Sequence, residues 1–237
     1  MTLYSVVVPV YPPHFRFLPD LVGQLDRSIL TSNYDLEIII CASEVTIGDQ
    51  TLLNGLECKY PLTILPSTSR QNAAENRNRG WDIAKGKYIF FMDADDLYHP
   101  YRVQFMINYL EHHPDTNLLC HSYLWLNENR PEWYNYRFDQ LDTTNYEITT
   151  QMLYSYTFPN GRGQEDGNLI CPGKRIHHAM VAVRRELTIN QNESSPYLRY
   201  DERLHLERKE DGKLCKDMLW KYGNVTFIDI PLMVYRP

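Results

Sequence analysis

An α/β fold built on a mostly parallel sheet, flanked by helices and completed by an irregular second half, is what this 237-residue chain predicts. Three observations lead there. The runs SVVVPV, LEIIIC and YIFFM are near-continuous apolar stretches of strand length, suited to strands buried on both faces. Amphipathic stripes of helical period lie between them, and strands alternating with helices imply right-handed crossovers between parallel strands. The third run also delivers three acids, Asp93, Asp95 and Asp96, at its end.

Taken in order, Ser5 to Val10 reads as a first strand stopped by Pro12 and Pro13, and Leu18 to Leu30 as a helix with apolar residues at Leu18, Leu21, Val22, Leu25, Ile29 and Leu30. Leu36 to Cys41 is a second strand and Leu62 to Leu65 a short third. Gln71 to Ala84 is a helix ended by Gly86, after which Tyr88 to Met92 forms the acid-bearing strand. Tyr101 to His112 repeats the helical stripe, and Leu118 to Trp125 is a further strand. From Leu126 to Gly173 the periodicity dissolves into Tyr, Asn, Pro and Gly, which reads as loops. Order returns with a strand at Ala179 to Val183, a helix at Gly212 to Tyr222 and a closing strand at Val225 to Val234. No repeat or linker interrupts this, so the expectation is one domain over residues 1–237, either whole or part of a longer polypeptide.

The formal net charge of −6, with no long basic run, lacks the electrostatic footprint of a nucleic-acid binder. The 5 cysteines are scattered without a CxxC pair, which favours neither a disulfide framework nor a zinc site and suits a reducing compartment. No stretch is long enough to span a membrane and the N-terminus lacks a signal-peptide pattern, so the reading is a soluble, cytoplasmic protein, with peripheral membrane contact left open.

Acids at the carboxyl end of a strand lie where open α/β sheets bind ligands. Oxygen donors crowded there suit Mg²⁺ or Mn²⁺ carried in with substrate phosphates. The other reading is an Asp-rich turn that caps the helix beginning near Pro100.

Four segments in order resemble glycosyltransferase family 2, the nucleotide-sugar enzymes of the GT-A fold: SVVVPVY, NAAENRNRGWDIAKGKYI, DADD and KEDGKLCKDMLWKYGNVTFIDIPLMVYR. The resemblance implies a nucleotide-binding half over about residues 1–125 and an acceptor-binding half over about 126–237. It also implies inverting transfer of a sugar from a nucleoside diphosphate, UDP favoured, to a glycan or glycoconjugate hydroxyl, aided by Mn²⁺ or Mg²⁺.

By that resemblance Asp95, in the motif Asp93-Ala94-Asp95, binds the metal, and Asp93 binds the ribose or shares the metal. Asp96 would turn to the opposite side by strand alternation. Pro9 and Tyr11 border the base, with Tyr11 able to stack on it. Arg77 orients the acids or the base; its alternative is a solvated helix face. Where the family has a DDGS-like turn this chain has Cys41-Ala42-Ser43-Glu44, so Glu44 either substitutes for the base-reading acid or is a surface residue. Asp211, in the pair Glu210-Asp211 before the C-terminal helix, is the general base, or else an N-cap. His178, of the pair His177-His178, completes the metal shell or is structural. Trp125, Trp133, Tyr134 and Tyr136 offer faces for sugar CH groups, with core packing the alternative for Trp125. A metal-dependent nucleotidyltransferase would show a Gly-rich loop after the first strand, which SVVVPVYPPHF lacks. A non-catalytic module of the same fold is the remaining alternative.

Overall fold

The computed structural model describes residues 2–28, 30, 34–126, 153–156, 170–171, 174–175, 178–188, 198–203, 210–222 and 225–236. In chain order the elements are β1 (Thr2–Val10), α1 (Leu18–Asp26), β2 (Tyr34–Ala42), α2 (Ile47–Asn54), β3 (Leu62–Pro66), α3 (Ala73–Ile83), β4 (Tyr88–Phe91), β5 (Leu97–Tyr98), α4 (Arg102–His112), β6 (Leu118–Trp125), β7 (Leu153–Tyr156), β8 (Ile170–Cys171), β9 (Lys174–Arg175), β10 (Val181–Arg184), α5 (Glu210–Tyr222) and β11 (Val225–Tyr235). A 3₁₀ segment at Pro12–Phe17 joins β1 to α1.

One sheet runs β3-β2-β1-β4-β10-β6-β11-β5, with β7 added beside β11. β1, β2, β3 and β4 are mutually parallel. β10 is antiparallel to both β4 and β6, so β6 and its parallel neighbour β11 run in the direction of β4. The carboxyl ends of β1, β4, β6 and β11 therefore share one edge of the sheet.

β1 lies in the middle of its half of the sheet and is buried from Tyr4 onward, which explains its unbroken apolar run. Its buried Ser5 hydroxyl is satisfied: Oγ donates to Glu37 and accepts the Gly86 N–H at 2.8 Å. Gly86 is required by closeness, because a Cβ there would sit 2.4 Å from Ser5 N. α3 presses equally hard on the sheet at Gly80, where a Cβ would meet Val7 Cγ1 at 2.5 Å. A reciprocal capping box between Asn72 and Glu75 starts that helix.

The structure amends several expectations. Loops were expected from Leu126 to Gly173, yet Leu153–Tyr156 pairs antiparallel with β11 and Ile170–Cys171 with β9; the other residues of 127–173 lie outside the described residues. α2 was not foreseen: its amphipathic stripe is weak, Ile47 is exposed, and its start rests on the Thr46–Asp49 capping box. Arg184, at the end of β10, is held within the fold. It donates to Glu186 and to the Thr116 carbonyl and covers the Tyr88 ring. Among the described residues no helix is long and apolar enough to cross a membrane.

Gly80→Ala is expected to lower stability by about 1–3 kcal/mol through overpacking against Val7. Gly86→Ala should cost more, since it meets backbone that cannot move aside, and urea denaturation of both variants checks the order.

Candidate active site

β4 delivers its acids to the carboxyl edge, but they do not continue as strand. The regular strand stops at Phe91 and residues 93–96 form a turn, with Asp96 N–H facing the Asp93 carbonyl at 3.5 Å. The alternation argument for Asp96 is therefore corrected: the turn, not the pleat, separates the three side chains. Tyr98 closes that turn. Its hydroxyl accepts the Asp93 N–H at 2.6 Å and donates to the Asp93 carbonyl at 3.0 Å.

The three carboxyl groups meet different surroundings. Asp93 is paired with Arg77 of α3, Nη2 to Oδ1, at 2.6 Å. Arg77 is 3 % exposed, which removes the solvated-face alternative, and it also lies over the Tyr200 ring. Asp95 keeps one quarter of its side chain exposed and faces His14 Nδ1 at 3.4 Å. Burial, then repulsion from Asp93, raise its pKa. Asp96 is 1 % exposed; Oδ1 accepts the Arg236 N–H at 3.0 Å, and Oδ2 has no hydrogen-bond partner among the described residues. Burial, reinforced by the Asp93 charge, pushes the Asp96 carboxyl up to about 8.

Behind the turn lies a second buried guanidinium, Arg102 of α4. It donates to His121 Nε2 at 2.7 Å and to the carbonyls of Phe91 and Ala179, and it covers the Tyr98 ring. Burial lowers it to about 10, while Tyr98, Asp96 and Asp93 act to hold its charge.

α3 also organises the opposite wall. Asn78 exchanges two hydrogen bonds with the backbone of Tyr200, whose ring packs edge-on against Trp81 and Phe91. α5 starts nearby: Glu210 is buried and its charge acts on Arg77. Asp211 is the second residue of that helix, and its side chain lies outside the described residues. His178 begins the 3₁₀ turn His178–Met180, and its side chain, like all of His177, lies outside them too.

Pro9 is buried in β1 and Tyr11 stands at the rim, 44 % exposed, its ring against His14 and its hydroxyl 3.1 Å from His14 Nε2. Ala94 is buried within the acid turn. Glu44 is exposed and holds φ 54°, the left-handed backbone that a turn glycine takes, while its N–H bonds the Ser69 carbonyl. It thus sits where the turn reverses. Trp125 is 57 % exposed, not core, against Tyr123 and Tyr235, whereas Trp133, Tyr134 and Tyr136 lie outside the described residues.

Sequence reasoning missed His14, Tyr98, Arg102 and Arg236. The signal for the first was present: PPHF follows directly on Tyr11, the residue after β1, so its histidine falls at the same sheet edge.

The model of the family described as glycosyl transferase family 2 matches residues 5–186. The chain belongs to glycosyltransferase family 2. Among curated relatives of this family-2 chain, an uncharacterised glycosyltransferase of Haemophilus influenzae is 28 % identical over 120 residues, 50 % of this chain and 38 % of the relative. The chain spans less than half the length of the curated relatives it matches. Of solved structures, S. aureus TarS 1–349 in complex with UDP-GlcNAc superposes with a TM-score of 0.66 at 14 % identity, over 100 % of this chain and 59 % of that one. A mannosyltransferase from Pyrobaculum calidifontis, in complex with GDP-Man and Mn²⁺, gives 0.60 at 15 % identity, over 99 % and 56 %. These likenesses show the GT-A fold.

Two outcomes are expected. Asp93→Ala strands the buried Arg77 charge and should cost about 3 kcal/mol, and adding Arg77→Met should restore part of the loss, measured by a double-mutant denaturation cycle. Asp96 binds its proton more tightly folded than unfolded, so its contribution is complete below about pH 4 and is lost as pH rises towards 8. Asp96→Asn, melted in chelator from pH 4 to 8, should show a flatter fall in stability than the parent.

Proposed function

We propose that this chain is a metal-dependent, inverting glycosyltransferase acting on a nucleoside-diphosphate sugar, a UDP-sugar favoured, and on a hydroxyl of a glycan or glycoconjugate. The observation that carries the reading is the acid turn at the carboxyl edge, compensated from behind by Arg77 and approached by the start of α5. The donors named in the TarS and mannosyltransferase complexes support the substrate class.

The donor set suits a hard divalent cation. Asp95 is raised by burial and by the Asp93 charge, which His14 and Arg236 offset only in part, and it is partly open, so a cation there would relieve the remaining repulsion. Among the described residues no three His, Cys, Asp or Glu side chains form a complete cage. Carboxylate oxygens suit an ion of the Mg²⁺ or Mn²⁺ type, which is held by one or two carboxylates together with substrate phosphates. When bound, the cation supplies Lewis-acid neutralisation of the departing diphosphate.

Asp95 would hold that ion, while Asp93, fixed by Arg77, would meet the ribose or share it. Tyr11 and Pro9 border the base. Asp211 removes the acceptor hydroxyl proton as that oxygen bonds to the anomeric carbon. The bond from that carbon to the diphosphate oxygen breaks from the opposite face, its electron pair leaves with the diphosphate, and the configuration inverts. Glu210, which precedes Asp211, supports the assignment, because it is buried and its charge acts on Arg77, the partner of Asp93. Cys41, Cys58, Cys120 and Cys215 are free thiols, which supports a cytoplasmic setting.

Asp211→Asn should keep nucleotide-sugar binding and lose at least about 10²-fold in transfer rate. Asp95→Ala should instead lose metal-dependent thermal stabilisation by UDP or UDP-sugars. Transfer at the parental rate by Asp211→Asn would remove the base assignment.

A further inference from the structure

We propose that His14 is a nitrogen ligand of the divalent cation, bound beside Asp95, and that it biases the site towards Mn²⁺ over Mg²⁺. This rests on the donor-site reading above. Three features converge on the ring. Its Nδ1 stands 3.4 Å from Asp95 Oδ2. That is longer than the roughly 2.7–3.2 Å of an N–H···O hydrogen bond. It does match two donors bound at right angles to one hard cation, which at bond lengths of about 2.1–2.4 Å stand about 3.0–3.4 Å apart.

The second feature is the partner on the far side. Nε2 lies 3.1 Å from the Tyr11 hydroxyl. With the ring proton on Nε2 donated to that hydroxyl, the Nδ1 lone pair is left facing Asp95. Metal-binding histidines are held in this way, by a hydrogen bond from the nitrogen away from the metal. The third is the rigidity of the mount: His14 N–H bonds the Tyr11 carbonyl at 2.9 Å, and the ring is braced by Tyr11 at 4.4 Å and Phe17 at 5.8 Å. Imidazole nitrogen favours transition metals over Mg²⁺, which gives the selectivity its direction.

The test is pulsed electron paramagnetic resonance of Mn²⁺ with UDP, and GDP in parallel, on the parent, His14→Gln, Tyr11→Phe, His178→Gln and Asp95→Ala. Calorimetric nucleotide affinities are measured with Mn²⁺ and with Mg²⁺. Expected are ¹⁴N modulation in the parent that is lost in His14→Gln, and a fall of about tenfold or more in Mn²⁺-supported affinity with little change under Mg²⁺. Tyr11→Phe should keep the modulation and weaken Mn²⁺ affinity several-fold. Asp95-dependent Mn²⁺ binding without nitrogen modulation, or modulation lost only in His178→Gln, overturns the role of His14 and leaves the donor site standing. No metal-supported nucleotide binding in the parent overturns both. Circular dichroism of each variant separates these results from misfolding.

Discussion

The salt bridge between Arg77 and Asp93 is the contact on which the carboxyl edge depends. A guanidinium with 3 % exposure has lost most of its hydration, and it is tolerable only with a carboxylate in direct contact. Asp93 in turn sits in a turn with two other acids, and it alone has a buried arginine as direct partner. The pair thus fixes which acid is neutralised by protein and which is left for something else. Asp95 is the one left, partly open, its carboxyl raised by burial and then by its neighbour Asp93.

The geometry of that pair is set by backbone. Arg77 reaches the end of β4 because Gly80, one turn later, lets α3 lie directly on Val7. On the same helix Asn78 holds the Tyr200 backbone, and its N-cap Asn72 bonds the Glu202 carbonyl, so one capped helix fixes both the acid turn and the wall opposite. Arg102 acts from the other face of the sheet. By bonding the Phe91 and Ala179 carbonyls it ties the end of β4 to the start of β10, the one strand running against its neighbours β4 and β6. Two buried cations therefore flank one short acidic turn.

Much of this was legible in the residues. Strands buried on both faces announce themselves by composition, so β1, β2 and β4 were readable, and the acids at the end of β4 followed. Direction was not: a short run such as VAVR has the same pattern whichever way it points, so the antiparallel placement of β10 had to come from the structure. β7 was missed because LYSY lies in a stretch of loop-like composition, and its pairing depends on β11, far away in sequence. Tyr98 and Arg102 were invisible for a related reason. Their roles arise from contacts across the fold, and nothing local distinguishes Arg102 from any arginine on an amphipathic helix.

The bond from the Arg236 N–H to Asp96 spans 140 residues of chain. It makes the acid turn a late product of folding. The parallel core of β1 to β4 can collapse from contacts within the first hundred residues, yet Asp96 is sealed only when β11 takes its place beside β6 and β5. During synthesis the chain would expose its acids to water until that strand emerged. A half-made molecule would thus hold the motif without the geometry, and competence would arrive only with the strand that closes the sheet.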